Sequence, residues 1–124
     1  AKLLKSANWL PEIVLTSPLV RARQTADEFC ETSRIPGAVI QGWLASGMTP
    51  ETAIQELAGF QEFKRVAIVG HEPDLSCLIS HIIEAPYGSV LMKKGAFAAI
   101  ECSPPARGGI LLYLAPPQLT HHQA

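Results

Sequence analysis

The chain has no marked excess of one charge and no long apolar run. Ten Lys and Arg residues against eleven Asp and Glu residues leave a formal charge of −1. Without a basic excess or a run of Lys and Arg, a nucleic-acid partner is not expected. The longest apolar stretches, 95–100 and 110–115, are too short to cross a bilayer, so no membrane association is predicted. The opening residues show no signal-peptide pattern.

Closely spaced cysteine or histidine pairs of the kind that bind zinc are also missing. Cys30, Cys77 and Cys102 are odd in number, far apart in sequence and set among apolar residues. This pattern predicts buried free thiols in a reducing cytoplasm rather than a disulfide framework or a metal site. No metal ion and no organic cofactor is implied.

The composition that is present is that of a globular protein. Of the 124 residues, 48% are hydrophobic and 17% are charged, which predicts one domain over residues 1–124. Helical and strand-like patterns alternate along the chain. They predict an α/β layered fold with a mainly parallel central sheet flanked by helices. Two final strands, Gly95–Cys102 and Gly109–Ala115, are predicted to form an antiparallel pair.

The element boundaries follow from turn residues and hydrophobic spacing. Strands are predicted at Ile13–Leu15, Ala38–Ile40 and Arg65–Gly70, the last apolar on both faces and therefore central and parallel. Helices are predicted at four places: Leu3–Leu10, after the N-cap Ser17 and Pro18, after the N-cap Thr49 and Pro50, and after Pro73. Residues 43–48 are predicted to form a loop.

Two short segments, Ser17–Ala26 and Val69–Ser76, carry the chemistry. Each follows a predicted strand and opens a predicted helix. In open α/β sheets, ligands bind beyond the carboxyl ends of the strands, and helix N-termini favour anions. The first segment brings the guanidinium of Arg21, which can bind two phosphate oxygens at once, and the second brings the imidazole of His71. Together they predict a site for a phosphoryl group.

The sequence pattern alone also allows non-functional roles for these residues. An arginine in a first helical turn is commonly a solvated surface charge, and a histidine after a strand is commonly a hydrogen-bonding loop residue. Ser17 could cap the helix, contact phosphate, or do both. Arg23 lies elsewhere on the helix from Arg21, which favours a role at the surface or at the substrate rim.

At these residues the chain resembles a known family. Ser-Pro-Leu-Val-Arg-Ala-Arg-Gln-Thr-Ala and Val-Gly-His-Glu-Pro-Asp-Leu-Ser are similar to two signature segments of the histidine phosphatase superfamily, and most of all to its SixA-type phosphohistidine phosphatase branch. The resemblance implies a phosphoglycerate mutase-like fold. It also implies that Arg21 and His71 are catalytic residues that clamp the phosphoryl group, with Ser17 and Glu72 as further phosphate-binding candidates.

The resemblance further implies a reaction and a partner. The expected activity is hydrolysis of phosphohistidine on a protein, such as a phosphotransfer domain of a signalling system, through a phosphohistidine enzyme intermediate. The alternative to a phosphorylated protein is a small phosphorylated substrate. No obvious proton donor stands between the two motifs, where Glu51, Glu56 and Glu62 are the local carboxylates. A phosphoramidate needs less help than an alkoxide, because its ring nitrogen can leave as neutral imidazole.

One family feature is missing from the sequence. The family's first strand ends in Arg-His-Gly or Arg-His-Ala, which supplies the nucleophilic histidine, and this motif does not occur here. His81 falls within a predicted helix, while His121 and His122 lie in the tail. We therefore expect the nucleophile upstream of Ala1, so that this chain is roughly the C-terminal three quarters of a histidine phosphatase domain and is inactive alone. The alternatives are a non-catalytic phosphate-binding or interaction module and a general phosphomonoesterase of the superfamily.

Overall fold

The computed structural model describes residues 10–93, 97–106 and 108–115. Three α-helices and five strands are formed within these ranges. The strands are β1 (Ile13–Thr16), β2 (Val39–Ile40), β3 (Val66–Val69), β4 (Phe97–Glu101) and β5 (Ile110–Ala115), and the helices are α1 (Val20–Ser33), α2 (Pro50–Leu57) and α3 (Asp74–Ile83). The predicted helix at Leu3–Leu10 lies, but for its last residue, outside the described residues.

The strands form two small sheets. In the first, β1 is central and pairs in parallel with β2 on one side and with β3 on the other. In the second, β4 and β5 are antiparallel, with an irregularity between Ala99 and Ile100. The predicted α/β fold, with its parallel sheet and antiparallel C-terminal strand pair, is therefore confirmed.

The side chains of β1 alternate between the two faces of the parallel sheet, and each face is covered by a helical layer. Val14 packs with Ala26 and Cys30, residues of α1, while Leu15 belongs to a cluster that includes Ile54 of α2 and Leu78 of α3. Successive side chains of a strand point to opposite faces, so one short strand serves two cores. Helix α1 covers one face of the parallel sheet, and helices α2 and α3 cover the other.

Strand β3 differs in position from its sequence-based prediction. Its apolar run predicted a central strand, and the parallel pairing is confirmed, but within the described residues β3 pairs with β1 alone. All four residues, Val66–Val69, are only partly buried. An apolar parallel strand with an unpaired edge is an exception, because parallel sheets are normally covered on both faces and paired through their centre.

The predicted start of α1 is wrong by two residues. Its N-cap is Leu19 rather than Ser17, and the Ser17 hydroxyl instead accepts a hydrogen bond from the Leu19 amide. The next helix begins as predicted, since the Thr49 hydroxyl accepts from the Thr52 amide and Pro50 is the first residue of α2. The loop predicted at 43–48 contains most of a short 3₁₀ turn at Gly42–Leu44.

The β4–β5 pair is attached to the end of α3. The backbone amides of Gly108 and Gly109 both donate to the carbonyl oxygen of Ile82, each at 2.8 Å. A Cβ atom at Gly109 would lie 2.6 Å from Ile82 Cγ2 and 2.8 Å from the Glu101 carbonyl oxygen. Only a glycine permits this close approach of the hairpin to the helix.

Candidate active site

The three parallel strands end at the same edge of the sheet. Thr16, the last residue of β1, is in register with Ile40 of β2 and Val69 of β3. The residues that follow, Ser17 and Gly70–His71, therefore emerge side by side. This is the carboxyl edge, where α/β sheets bind their ligands.

Ser17 and His71 are in contact at this edge. The Oγ atom of Ser17 lies 2.8 Å from Nε2 of His71. The Ser17 amide also donates to the Val69 carbonyl at 2.9 Å, which ties the end of β1 to the end of β3. Ser17 is completely buried, and His71 is half-buried. The sequence-predicted juxtaposition of the two motifs is thus a direct side-chain contact.

Arg21 is placed at the same edge by the start of α1. It is the second residue of the helix, in the first turn, whose amide groups have no acceptor within the helix. Its side chain is exposed, and within the described residues its guanidinium makes no ion pair or hydrogen bond. An unpaired guanidinium beside free helix amides is available to an anion.

Arg23 is also exposed but lies on a different face of α1. Two residues along a helix correspond to a rotation of about 200°, so Arg21 and Arg23 cannot point to the same place. The two arginines therefore form a matched pair, in which one is predicted to bind phosphate and the other is not.

Glu72 lies in the turn before α3 and contacts the first turn of that helix. Its carboxylate accepts a hydrogen bond from the Ser76 hydroxyl, and the same hydroxyl accepts from the Met92 amide at 3.0 Å. The carboxylate is itself exposed, and a negative group does not attract phosphate. The role predicted for Glu72 in phosphate binding stays a prediction. What the geometry shows is a link between the start of α3 and the segment that follows it.

Asp74 holds a loop at the candidate active site, a role that the sequence did not predict. Its Oδ2 atom accepts from the amides of Gly47 and Met48, at 2.8 and 3.1 Å. The first residue of α3 thereby anchors the 42–48 loop beside His71. An acidic residue in a first helical turn is common, so nothing local distinguishes one that binds a loop 27 positions away.

Gln41 was also missed, although it follows the short strand β2. Its amide donates to the Thr16 carbonyl at 2.8 Å, and its side-chain oxygen accepts from the Trp43 indole at 2.8 Å. The residues after β1 and β2, Ser17 and Gln41, are therefore each fixed to a neighbouring strand at this edge. The position of Gln41 after a two-residue strand was the only available signal.

Cys30 lies in α1, Cys77 and His81 lie in α3, and Cys102 follows β4. Burial raises the pKa of Cys30, with a smaller contribution from Asp27, and burial alone raises the pKa of Cys102. Cys77 is a partly buried free thiol. His81 is buried within α3. The described ranges contain no cluster of three potential metal ligands and no helix long and apolar enough to cross a membrane.

Comparison with known proteins finds similar solved structures but no similar sequence family. No family model and no curated protein matches the chain. Among solved structures, the protein histidine phosphatase SixA complexed with tungstate matches with a TM-score of 0.77 and 21% identity, over 95% of this chain and 76% of that one. A protein assigned as the phosphohistidine phosphatase SixA from Agrobacterium tumefaciens matches with a TM-score of 0.70 and 18% identity, over 93% and 74%.

These likenesses define the fold of the chain. It is the α/β fold of the SixA-type histidine phosphatases, as the resemblance at the two motifs implied. At this level of identity, activity does not follow from fold, so function has to be argued from the site.

Proposed function

We propose that this chain belongs to a phosphohistidine phosphatase, in which Arg21 and His71 hold the phosphoryl group. The observation that carries the proposal is the carboxyl edge of the parallel sheet. There the imidazole of His71 contacts Ser17, next to the start of α1, where the Arg21 guanidinium makes no ion pair within the described residues. A neutral or charged imidazole, a guanidinium and free helix amides are donors suited to a phosphoryl oxygen.

The SixA likeness supports an oxyanion as the ligand. One of the similar structures is described as complexed with tungstate, a tetrahedral oxyanion like phosphate. The sequence segments that resemble the family's signatures are the ones that meet at this edge. Preorganised donors of this kind stabilise the charge that spreads over the equatorial oxygens during phosphoryl transfer.

The nucleophile is proposed to be a histidine upstream of Ala1. Strand β3 supports this proposal, because its apolar residues are only partly buried and, within the described residues, its second edge is unpaired. A strand paired there would deliver its own carboxyl end next to His71. Residues 1–124 are accordingly proposed to be the larger part of one histidine phosphatase domain.

In the proposed reaction, a nitrogen of the upstream histidine attacks phosphorus. The P–N bond to the substrate imidazole breaks, and that ring, protonated on its other nitrogen, leaves with the electron pair as neutral imidazole. Water then attacks the enzyme's phosphohistidine, which releases orthophosphate and restores the free histidine. Arg21 and His71 bind the phosphoryl oxygens in both steps, and no metal ion is required by these residues.

Exposed apolar side chains around the edge favour a protein substrate. Leu19 and Val20, next to Arg21, are 48% and 64% exposed, and Ile40, at the end of β2, is 50% exposed. Apolar groups around a polar site suit a protein surface better than a small, highly charged metabolite. With three free thiols, we propose that the protein works in the cytoplasm on a phosphorylated protein.

The test uses the complete polypeptide and a phosphohistidine-bearing protein. Arg21→Ala and His71→Ala are each expected to lower kcat/KM by about 100-fold or more, as for other lost transition-state donors. Arg23→Ala is the matched control and should stay within about twofold, since it is an exposed residue facing elsewhere.

Three outcomes would contradict the proposal in different ways. Unchanged activity in Arg21→Ala or His71→Ala would reject the site. Equal hydrolysis of sugar phosphates would favour a general phosphomonoesterase. Absence of an Arg-His pair upstream of Ala1, together with phosphate binding but no turnover, would favour a binding module.

A further inference from the structure

The ring of His71 is held by the protein through one nitrogen. Nε2 lies 2.8 Å from Oγ of Ser17, and no other polar atom of the described residues contacts the ring. Because Ser17 is completely buried, water does not compete for its hydroxyl. Nε2 therefore faces the protein, and Nδ1 is the nitrogen left for a ligand.

The hydrogen bonds of Ser17 indicate the direction of this contact. A hydroxyl group has one O–H donor and two acceptor positions. The Leu19 amide donates to Ser17 Oγ at 3.2 Å and fills one acceptor position. The hydroxyl proton still needs an acceptor, since buried polar groups are almost always paired. Among the described residues, Nε2 of His71 is the acceptor within reach, and it can accept only when it carries no proton.

We infer that Ser17 is a positioning residue that fixes His71 in the tautomer with its proton on Nδ1. The neutral ring then presents an N–H donor to a phosphoryl oxygen without first gaining a proton. For its catalytic consequence this inference rests on the proposed function, and it gives Ser17 an action through His71 rather than on phosphate directly. To contact phosphate itself, the buried hydroxyl would have to leave His71.

The backbone makes this arrangement rigid. The Ser17 amide donates to the Val69 carbonyl, two residues before His71, so the hydroxyl and the ring are fixed to neighbouring strand ends. The Leu19 amide orients the same hydroxyl from the other side. A ring constrained in this way meets a phosphoryl group with little loss of side-chain freedom.

The tautomer is measured by nitrogen NMR on the complete polypeptide labelled with ¹⁵N-histidine. The His71 signals are assigned by their loss in His71→Gln. On the neutral ring we expect a protonated Nδ1 and a bare Nε2, and Nδ1 is expected to shift when orthophosphate is added. A neutral ring protonated on Nε2 would overturn the inference.

Two variants separate orientation by the hydroxyl from a general structural role. Ser17→Ala should move His71 toward the Nε2-protonated form and weaken orthophosphate binding about tenfold, the effect of one lost hydrogen bond. Ser17→Thr retains a hydroxyl and should retain the wild-type tautomer. An unchanged tautomer in Ser17→Ala would overturn the inference.

If Ser17→Ala does not fold, a measurement on the wild-type protein tests the inference. A slowly exchanging Ser17 hydroxyl proton with a through-space contact to the His71 ring would support the inference, and its absence would overturn it. Failure of the proposed function looks different. The wild type would then hydrolyse no phosphohistidine, while His71 would still show the Nδ1–H tautomer and its dependence on Ser17.

Discussion

Removing the Asp74 carboxylate tests how firmly the 42–48 loop is held beside His71. In Asp74→Ala, the amides of Gly47 and Met48 lose the shared acceptor that they contact at 2.8 and 3.1 Å. The Gly47 amide is at an exposed position and can turn to water, whereas the Met48 contact is partly buried. The loss in free energy of unfolding is therefore closer to that of two ordinary hydrogen bonds than to that of two buried polar groups left without partners.

The expected magnitude follows from these terms. Two hydrogen bonds at about 1 kcal/mol each, less the partial replacement by water, leave roughly 1.5 kcal/mol. The lost negative charge at the start of α3 adds about 0.5 kcal/mol through the helix dipole. We expect Asp74→Ala to lower the free energy of unfolding by about 2 kcal/mol, and Asp74→Asn, which keeps an acceptor oxygen, by about 1 kcal/mol.

Urea unfolding of the complete polypeptide measures this effect, with the m-value checked for constancy. Glu51→Ala is the matched control, because Glu51 is also acidic and in a first helical turn but has no hydrogen bond to a distant loop within the described residues. It should cost only about 0.5 kcal/mol. If Asp74→Ala were no more destabilising than Glu51→Ala, the anchoring of the loop by Asp74 would be refuted.

Three further predictions follow from other parts of the molecule. Gly109→Ala should destabilise by about 1–3 kcal/mol in urea unfolding, because its Cβ would lie 2.6 Å from a side-chain carbon of α3, whereas Gly59→Ala, with nothing within 4 Å, should be nearly neutral. Hydrogen bonds from two backbone amides lower the pKa of Glu12 from 4.5, so this carboxylate stabilises the fold above that pH and its contribution is lost as pH falls through the lowered pKa. Glu12→Gln should make the free energy of unfolding less dependent on pH in this range. An unchanged acid unfolding transition in this variant would contradict the prediction. Arg21→Lys should lower kcat/KM by about tenfold through loss of the bidentate fork, while Arg23→Lys should have no effect.

Elements with local signals were predictable from the sequence. The start of α2 was correct because Thr49 and Pro50 provide a cap and a fixed φ within one turn. The β4–β5 pair was correct because two apolar runs are separated by a segment rich in Pro and Gly. The start of α1 was wrong because Ser17 Oγ accepts from the Leu19 amide before the helix begins, and its contact with His71, 54 positions away, has no local signal in the sequence.

The site was predictable in its parts but not in its contacts. The sequence placed Arg21 and His71 after parallel strands, and the structure places both segments at one sheet edge. Their roles in phosphate binding remain predictions. Asp74 and Gln41 were not foreseen because each acts through backbone groups of another segment, which carry no mark in a sequence.

Helix α3 also limits how the length of the chain can vary. His71 and Asp74 act at its beginning, and the hairpin is attached to the Ile82 carbonyl near its end. One inserted or deleted residue between these points would turn one end relative to the other by about 100° and move it by about 1.5 Å along the axis. We therefore expect an insertion in 75–81 to disturb one of the two attachments, and an insertion in 86–91 to leave both in place. The ten-residue helix acts as a spacer of fixed length between the candidate active site and the hairpin.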